Sequence, residues 1–128
     1  MHELSLATSI VEIADREAER RGLSGLKAVV VQVGCLTDVS PEALEFAFEY
    51  AREGTLAAGA ALAIQRVAGI GTCRQCGERL EAYSLYFACA ECGSRDVAFE
   101  SGDELRVVGL EIEDPAEDAP EARECGLS

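Results

Sequence analysis

Residues 73–93, CRQCGERLEAYSLYFACAECG, contain two C-x2-C pairs separated by twelve residues, and a glycine follows each pair. Two short turns that each carry two thiolates can complete the tetrahedral shell of one metal ion. The glycines, Gly77 and Gly93, allow the positive backbone φ that the chain needs where it passes beneath the sulfur atoms. The pattern predicts a closed structural zinc site rather than a catalytic one. Its four ligands would be Cys73, Cys76, Cys89 and Cys92.

The four cysteines also admit two other interpretations, namely disulfide bonds or an iron site in a small electron carrier. The N-terminal segment shows no basic leader, and no apolar run is long enough to span a bilayer. We therefore expect a cytoplasmic protein that does not associate with a membrane. Thiols stay reduced in that compartment, which favours metal binding over disulfides.

Acidic residues dominate the charge of the chain. The net charge is −13 over 128 residues, and residues 111–128 contain seven acids and one base. Nucleic-acid affinity depends on lysine and arginine side chains that neutralise phosphates, so this balance argues against a zinc ribbon that binds nucleic acid. From residue 114 onward proline, alanine and acids predominate, which predicts a disordered acidic tail over residues 114–128.

Hydrophobic periodicity predicts two helices and three strands outside the cysteine segment. Apolar residues at helical spacing predict a first helix over residues 4–21. Ser40 followed by Pro41 is typical of a helix start, so we expect a second helix over residues 41–53. Apolar, β-branched runs predict strands over residues 26–33, 60–68 and 104–113.

The cysteine segment lies between the second and third predicted strands, so the metal lobe is expected to be inserted rather than appended. The predicted units are a main domain of residues 1–69 plus 102–113, a zinc lobe of residues 70–101, and the acidic tail. Within the lobe, residues 81–88 predict a short hairpin and a miniature core beneath the metal, formed by Tyr83, Leu85, Tyr86 and Phe87. So small a lobe cannot fold on hydrophobic burial alone, and metal binding would supply the missing stability.

His2 is the only histidine in the chain, and it follows the α-amine of Met1. An amine, a deprotonated backbone amide and an imidazole can form fused chelate rings around Ni²⁺ or Cu²⁺, which accept square-planar nitrogen ligands. Glu3 could add a carboxylate oxygen or its own amide nitrogen. On spacing alone, the alternative that His2 is a frayed residue before a helix stays open.

Several segments occur in the order typical of the HypA/HybF hydrogenase-maturation nickel chaperones. They are MHELSLA at residues 1–7, QVG at 32–34, SPEAL at 40–44, FAF at 46–48, GTLA at 54–57, the CRQC and CAEC pairs, and GDEL at 102–105. The chain resembles this family over residues 1–113, and only the acidic tail lies outside the resemblance.

The resemblance implies an α+β fold of two helices on a three-stranded sheet, with the inserted zinc lobe. It also implies Ni(II) as cargo, bound at the N-terminus through Met1, His2 and Glu3, and Zn(II) as a structural ion in the lobe. Family members work with a HypB-type GTPase and deliver nickel to the large subunit of [NiFe]-hydrogenase, and some also serve urease. A metallochaperone rather than an enzyme is therefore expected, and the sequence shows no phosphate-binding loop and no GxSxG-like motif. We expect a monomer or a weak homodimer.

Three further residues have uncertain roles in the sequence. Cys35 follows the first predicted strand and is interpreted as a small packed residue, with a reserve soft ligand near the nickel site as the alternative. Asp38 precedes the second helix and is either a solvated loop acid or an oxygen ligand near the N-terminus. Cys125 lies in the acidic tail and is interpreted as incidental.

Overall fold

Two helices and six strands are present in the computed structural model, which describes residues 2–112. The helices are α1 (Glu3–Arg20) and α2 (Pro41–Ala51). The strands are β1 (Ala28–Gly34), β2 (Ala61–Val67), β3 (Gly69–Cys73), β4 (Arg79–Ala82), β5 (Val97–Phe99) and β6 (Leu105–Glu111). The predicted helices correspond to α1 and α2, and the predicted strands to β1, β2 and β6, so the α+β prediction is confirmed. The acidic tail, residues 114–128, lies outside the described residues.

The main sheet has the strand order β2–β1–β6, in which β1 is parallel to β2 and antiparallel to β6. Along β1 the alternate residues Val29, Val31 and Val33 are at most 1% exposed and belong to the core that α1 and α2 complete. On the opposite face Gln32 donates a hydrogen bond to Gln65 and accepts one from Arg106. Because side chains alternate along a strand, β1 buries these valines beneath the helices and places Gln32 on the opposite face of the sheet.

The helix α1 packs through small residues, which let it lie close to the sheet and to α2. Its buried side chains are Ala7, Ile10, Val11, Ala14 and Ala18. The helix ends as its sequence predicts, since Gly22 follows Arg21 with a φ of +70°. Near this end Glu17 accepts hydrogen bonds from Arg20 and Arg21, each at 2.6 Å. Hydrogen bonds from Arg21 and then Arg20 hold the pKa of Glu17 below its usual range.

The helix α2 begins at the predicted cap, where the Ser40 hydroxyl accepts a hydrogen bond from the Ala43 amide at 3.2 Å. Leu44 and Phe48 are buried against the core at 0% and 1% exposure. Phe46 lies on the outer side of the helix and is 76% exposed. The apolar residues of α2 therefore lie on two sides of the helix, one that packs against the core and one that faces outward.

A second sheet contains the four-cysteine segment, with the strand order β4–β3–β5 and both neighbours antiparallel to β3. It lies between β2 and β6 in the chain, so the predicted insertion is confirmed. The predicted hairpin over residues 81–88 is wrong, because β4 ends at Ala82 and pairs with β3 instead. The predicted miniature core is also wrong in part: Tyr86 is 90% exposed, whereas Phe87 packs edge-to-face against Phe99 with ring centroids 4.9 Å apart. The aromatic partner that sequence analysis missed comes from β5, beyond the second cysteine pair.

Glycines allow close backbone contact where the two sheets join. A Cβ atom added at Gly34 would lie 1.9 Å from the carbonyl oxygen of Gly102, and one at Gly69 would lie 2.7 Å from the side chain of Leu36. The Leu36 amide donates to the same Gly102 oxygen at 2.8 Å. The loop after β1 is thereby packed against the segments that enter and leave the second sheet, and it continues into the N-cap of α2.

Candidate metal centres

Four sulfur atoms converge between the two cysteine turns. The Sγ atoms of the predicted zinc ligands all lie within 4.8 Å of one another, and these residues are Cys73, Cys76, Cys89 and Cys92. The Cys73–Cys92 and Cys76–Cys89 sulfur pairs are each 3.6 Å apart. A disulfide requires about 2.05 Å, whereas two thiolates about 2.3 Å from one tetrahedral ion lie about 3.8 Å from each other. The spacing contradicts the disulfide alternative and fits a single four-coordinate ion.

Both cysteine turns use the same backbone geometry. The Gly77 amide donates to the Cys73 carbonyl at 2.9 Å, and the Gly93 amide donates to the Cys89 carbonyl at 2.7 Å. The two glycines have φ values of +82° and +76°. The positive φ expected from the sequence is therefore present after each pair, where a residue with a Cβ would be strained.

Backbone amides of the first turn stabilise negative charge on one sulfur. Hydrogen bonds from the amides of Cys76 and then Gln75 lower the pKa of the Cys73 thiol to about 7, against the opposing effect of burial. The Glu78 amide likewise acts to lower the pKa of the Cys76 thiol. The adjacent Cys89 thiol and burial oppose this effect and together raise the pKa of Cys76 to about 12. The backbone of the first turn therefore favours a thiolate at Cys73.

Two exposed ion pairs connect the parts of this segment. Arg74, inside the first turn, contacts the Asp96 carboxylate at 2.8 Å, just after the second turn. Arg79 of β4 contacts Glu100, which follows β5, at 2.9 Å. Solvent screens exposed pairs, so their contribution to stability is small. They align the two cysteine turns but do not replace a central ion.

A separate pocket of about 380 Å³ lies at the beginning of α1. Its lining residues are His2, Glu3, Thr37, Asp38, Val39 and Ser40. The structure therefore brings two of the predicted nickel ligands, His2 and Glu3, together with Asp38. The third predicted ligand, Met1, lies outside the described residues. Sequence analysis did not identify Thr37 and Val39 as pocket residues, because hydrophobic periodicity gives no signal for the lining of a pocket.

The Glu3 carboxylate links the start of α1 to the start of α2, since its Oε2 atom accepts a hydrogen bond from the Ser40 amide at 3.0 Å. The ammonium group at the chain terminus and then the Ser40 amide lower the pKa of Glu3 to about 2. Glu3 is thus an anion throughout the physiological pH range. His2 is exposed at the N-cap of α1, and its imidazole makes no capping hydrogen bond. The helix leaves the imidazole available to a ligand.

One family model, described as "Hydrogenase/urease nickel incorporation, metallochaperone, hypA", matches residues 1–112 of this chain. The chain belongs to the HypA family. The hydrogenase maturation factor HypA of Dechloromonas aromatica (strain RCB) is 44% identical over 113 residues, which cover 88% of this chain and all of that protein. The HypA of Geobacter sulfurreducens is also 44% identical, with the same coverage. The solution structure of the Ni metallochaperone HypA from Helicobacter pylori has a TM-score of 0.60 and 28% identity, and the match covers 88% of this chain and 97% of that one.

Membership of the HypA family decides between the functional classes that the sequence left open. The family consists of metallochaperones, so the prediction that the chain is not an enzyme is confirmed. The same finding argues against an electron carrier and against a zinc ribbon that binds nucleic acid. Neither helix of residues 2–112 has the length and hydropathy that a membrane crossing requires.

Cys35 lies apart from both candidate metal centres. Cys35 is 7% exposed at the end of β1, where its amide donates to the Val67 carbonyl at 2.8 Å, so its interpretation as a packed residue is confirmed. Among the described residues it belongs neither to the pocket at the start of α1 nor to the four-sulfur cluster. Cys125 lies outside the described residues.

Proposed function

We propose that this protein is a nickel metallochaperone that binds Ni(II) at its N-terminus, through Met1, His2 and Glu3. The observation that carries the proposal is the pocket in which His2, Glu3 and Asp38 meet at the start of a HypA-family chain. Imidazole nitrogen and carboxylate oxygen suit nickel better than they suit a soft thiophilic ion. Asp38 is a further oxygen donor within the same pocket, as the sequence left open.

With a HypB-type GTPase, the protein delivers this nickel to the large subunit of [NiFe]-hydrogenase. The relatives described above carry the name hydrogenase maturation factor, which favours hydrogenase over urease as the client. We propose that delivery takes place in the cytoplasm, without a membrane or nucleic-acid partner, and that the protein acts as a monomer or weak homodimer.

The accessibility of the pocket suits a metal ion that is bound temporarily and then released. His2 is exposed and Glu3 is held at the rim by the Ser40 amide, so incoming ligands of an acceptor can reach the metal and replace the donors one at a time. A buried, closed cage would bind nickel more durably but would release it slowly.

We further propose that the four-cysteine cluster holds one structural Zn(II). Four sulfur ligands around a single position leave no open coordination site, which is the arrangement of structural rather than catalytic zinc. The second sheet then forms the zinc lobe of residues 70–101, the main sheet and helices form the nickel-binding unit of residues 1–69 plus 102–113, and residues 114–128 are an acidic tail. Colourless protein with about one zinc per chain supports the assignment, and red protein indicates iron instead.

Calorimetric nickel titration of the His2→Ala variant tests the nickel site. Loss of the imidazole is expected to weaken nickel binding by more than about tenfold. Mutation of a residue that only supports a metal ligand already weakens binding by about tenfold, and His2 is proposed to be a ligand itself. A peptide fused before Met1 converts the α-amine into an amide and should weaken binding in the same way. Protons compete with the metal for its nitrogen donors, so affinity should also fall as the pH is lowered.

The matched control is Glu12→Gln, which removes an exposed acid from the same helix outside the pocket and should leave nickel affinity and zinc content unchanged. Transfer of nickel to purified large subunit, with the GTPase present, should fail for His2→Ala and proceed for the control. Nickel affinity of His2→Ala equal to that of the parent protein would exclude the terminal site.

A further inference from the structure

The outer side of α2 exposes two large aromatic side chains. Phe46 is 76% exposed and Tyr50 is 74% exposed. They are separated by one helical turn and therefore lie next to each other on the helix surface. Aromatic residues are among those that contribute most to protein–protein interfaces, and this pair takes no part in the hydrophobic core.

Glutamates flank the aromatic pair. We call this surface the acidic aromatic face, and it consists of Glu42, Glu45, Phe46, Glu49, Tyr50 and Glu53. The helix α2 contains no lysine or arginine, and Arg52, which follows it, donates a hydrogen bond to the Ala60 carbonyl. No cation of α2 therefore offsets the four carboxylates, and a complementary surface must be apolar at its centre and basic at its rim.

The acidic aromatic face begins beside the nickel pocket. Ser40 caps α2 and its amide also binds the Glu3 carboxylate, so the pocket and the helix share this residue. At 1.5 Å of rise per residue, Phe46 lies about 9 Å and Tyr50 about 15 Å along the axis from Ser40. A protein docked on this face would be held within reach of the pocket.

We propose that the acidic aromatic face docks the protein that accepts nickel, through a patch of apolar side chains ringed by lysine or arginine. This inference rests on the proposed function. Ligand exchange requires the acceptor's metal site to approach the pocket closely, and a face that begins at Ser40 can hold an acceptor within that reach. A second copy of this chain is a poor occupant, because a symmetric dimer would oppose the same glutamates to one another.

The test measures the affinity of the nickel-loaded protein for purified, nickel-free large subunit. The Phe46→Ser, Tyr50→Ser double variant is expected to weaken this binding at least about tenfold. Both side chains are exposed, so the melting temperature and the nickel affinity of the variant should match those of the parent. The control is Tyr86→Ser, which removes a 90% exposed aromatic residue from the zinc lobe and should leave the affinity unchanged.

A second pair of variants tests the charges of the face. Glu49→Lys should slow association with the large subunit and weaken its salt dependence, whereas Glu12→Lys, with the same charge change on α1, should have a much smaller effect. The inference is overturned if the double variant binds the large subunit as the parent does, or if it loses binding to the GTPase instead. A parent protein that binds nickel but never binds the large subunit would refute the proposed delivery function itself.

Discussion

Replacing Gly34 with alanine should destabilise the protein strongly, because the three atoms nearest to the added methyl group all belong to the backbone. Its Cβ would lie 1.9 Å from the Gly102 oxygen, 2.2 Å from the Gly102 carbonyl carbon and 2.7 Å from the Asp103 nitrogen. No side chain can rotate to relieve these contacts, so the segment between β5 and β6 has to move.

That movement would also disturb two hydrogen bonds of the junction. The Leu36 amide donates to Gly102 at 2.8 Å, and the Gly34 amide donates to Glu104 at 2.7 Å. Overpacking costs about 1–3 kcal/mol, and each lost hydrogen bond adds about 1 kcal/mol. With both hydrogen bonds lost, we expect the free energy of unfolding to fall by about 3–5 kcal/mol, a large part of the roughly 5–15 kcal/mol that such domains have.

Urea and thermal denaturation, followed by circular dichroism, measure this change. The melting temperature should fall by about 10 °C or more. The control is Gly59→Ala, since Gly59 has no atom within 4 Å of an added Cβ and has no positive φ. That variant should change stability by at most about 1 kcal/mol. Equal melting temperatures for the two variants would refute the close contact at the junction.

Three other predictions concern the cysteines, the tail and α1. Cys73→Ser should release about one zinc per chain and unfold the second sheet while the main sheet survives, because structural zinc contributes on the order of 10 kcal/mol in such sites; full zinc content by metal analysis would contradict the four-cysteine site. Truncation after Glu113 should leave the melting temperature and nickel affinity nearly unchanged, and a large loss of either would show that residues 114–128 contact the fold. Glu17→Gln should lower the melting temperature slightly at pH 7, but it should have no effect at a pH well below the usual glutamate pKa of about 4.3. The pKa of the Glu17 carboxylate is lower in the folded protein than in the unfolded chain. Such a carboxylate stabilises the fold above its unfolded-state pKa and loses this effect as the pH falls through its folded-state pKa. Equal differences at both pH values would exclude the ionic contribution.

Local chemistry allowed several features to be predicted from the sequence. The spacing of the four cysteines and the glycine after each pair require only a tight turn, and a tight turn is determined by neighbouring residues. The Ser40–Pro41 helix start depends on one side chain and the next few amides. The apolar, β-branched run from Leu26 to Val33 identifies β1, because such runs are typical of a buried strand.

Other features depend on contacts between residues that are distant in the chain, and these only the tertiary structure decided. The hydrogen bond between Ser40 and Glu3 joins the starts of two helices, and nothing in either local sequence indicates the other. Phe46 and Phe48 are both apolar residues of α2, yet only the position of the sheet determines that Phe48 is buried and Phe46 exposed. The second sheet likewise takes β5 from beyond the second cysteine pair, and this pairing with β3 joins residues that are distant in the chain.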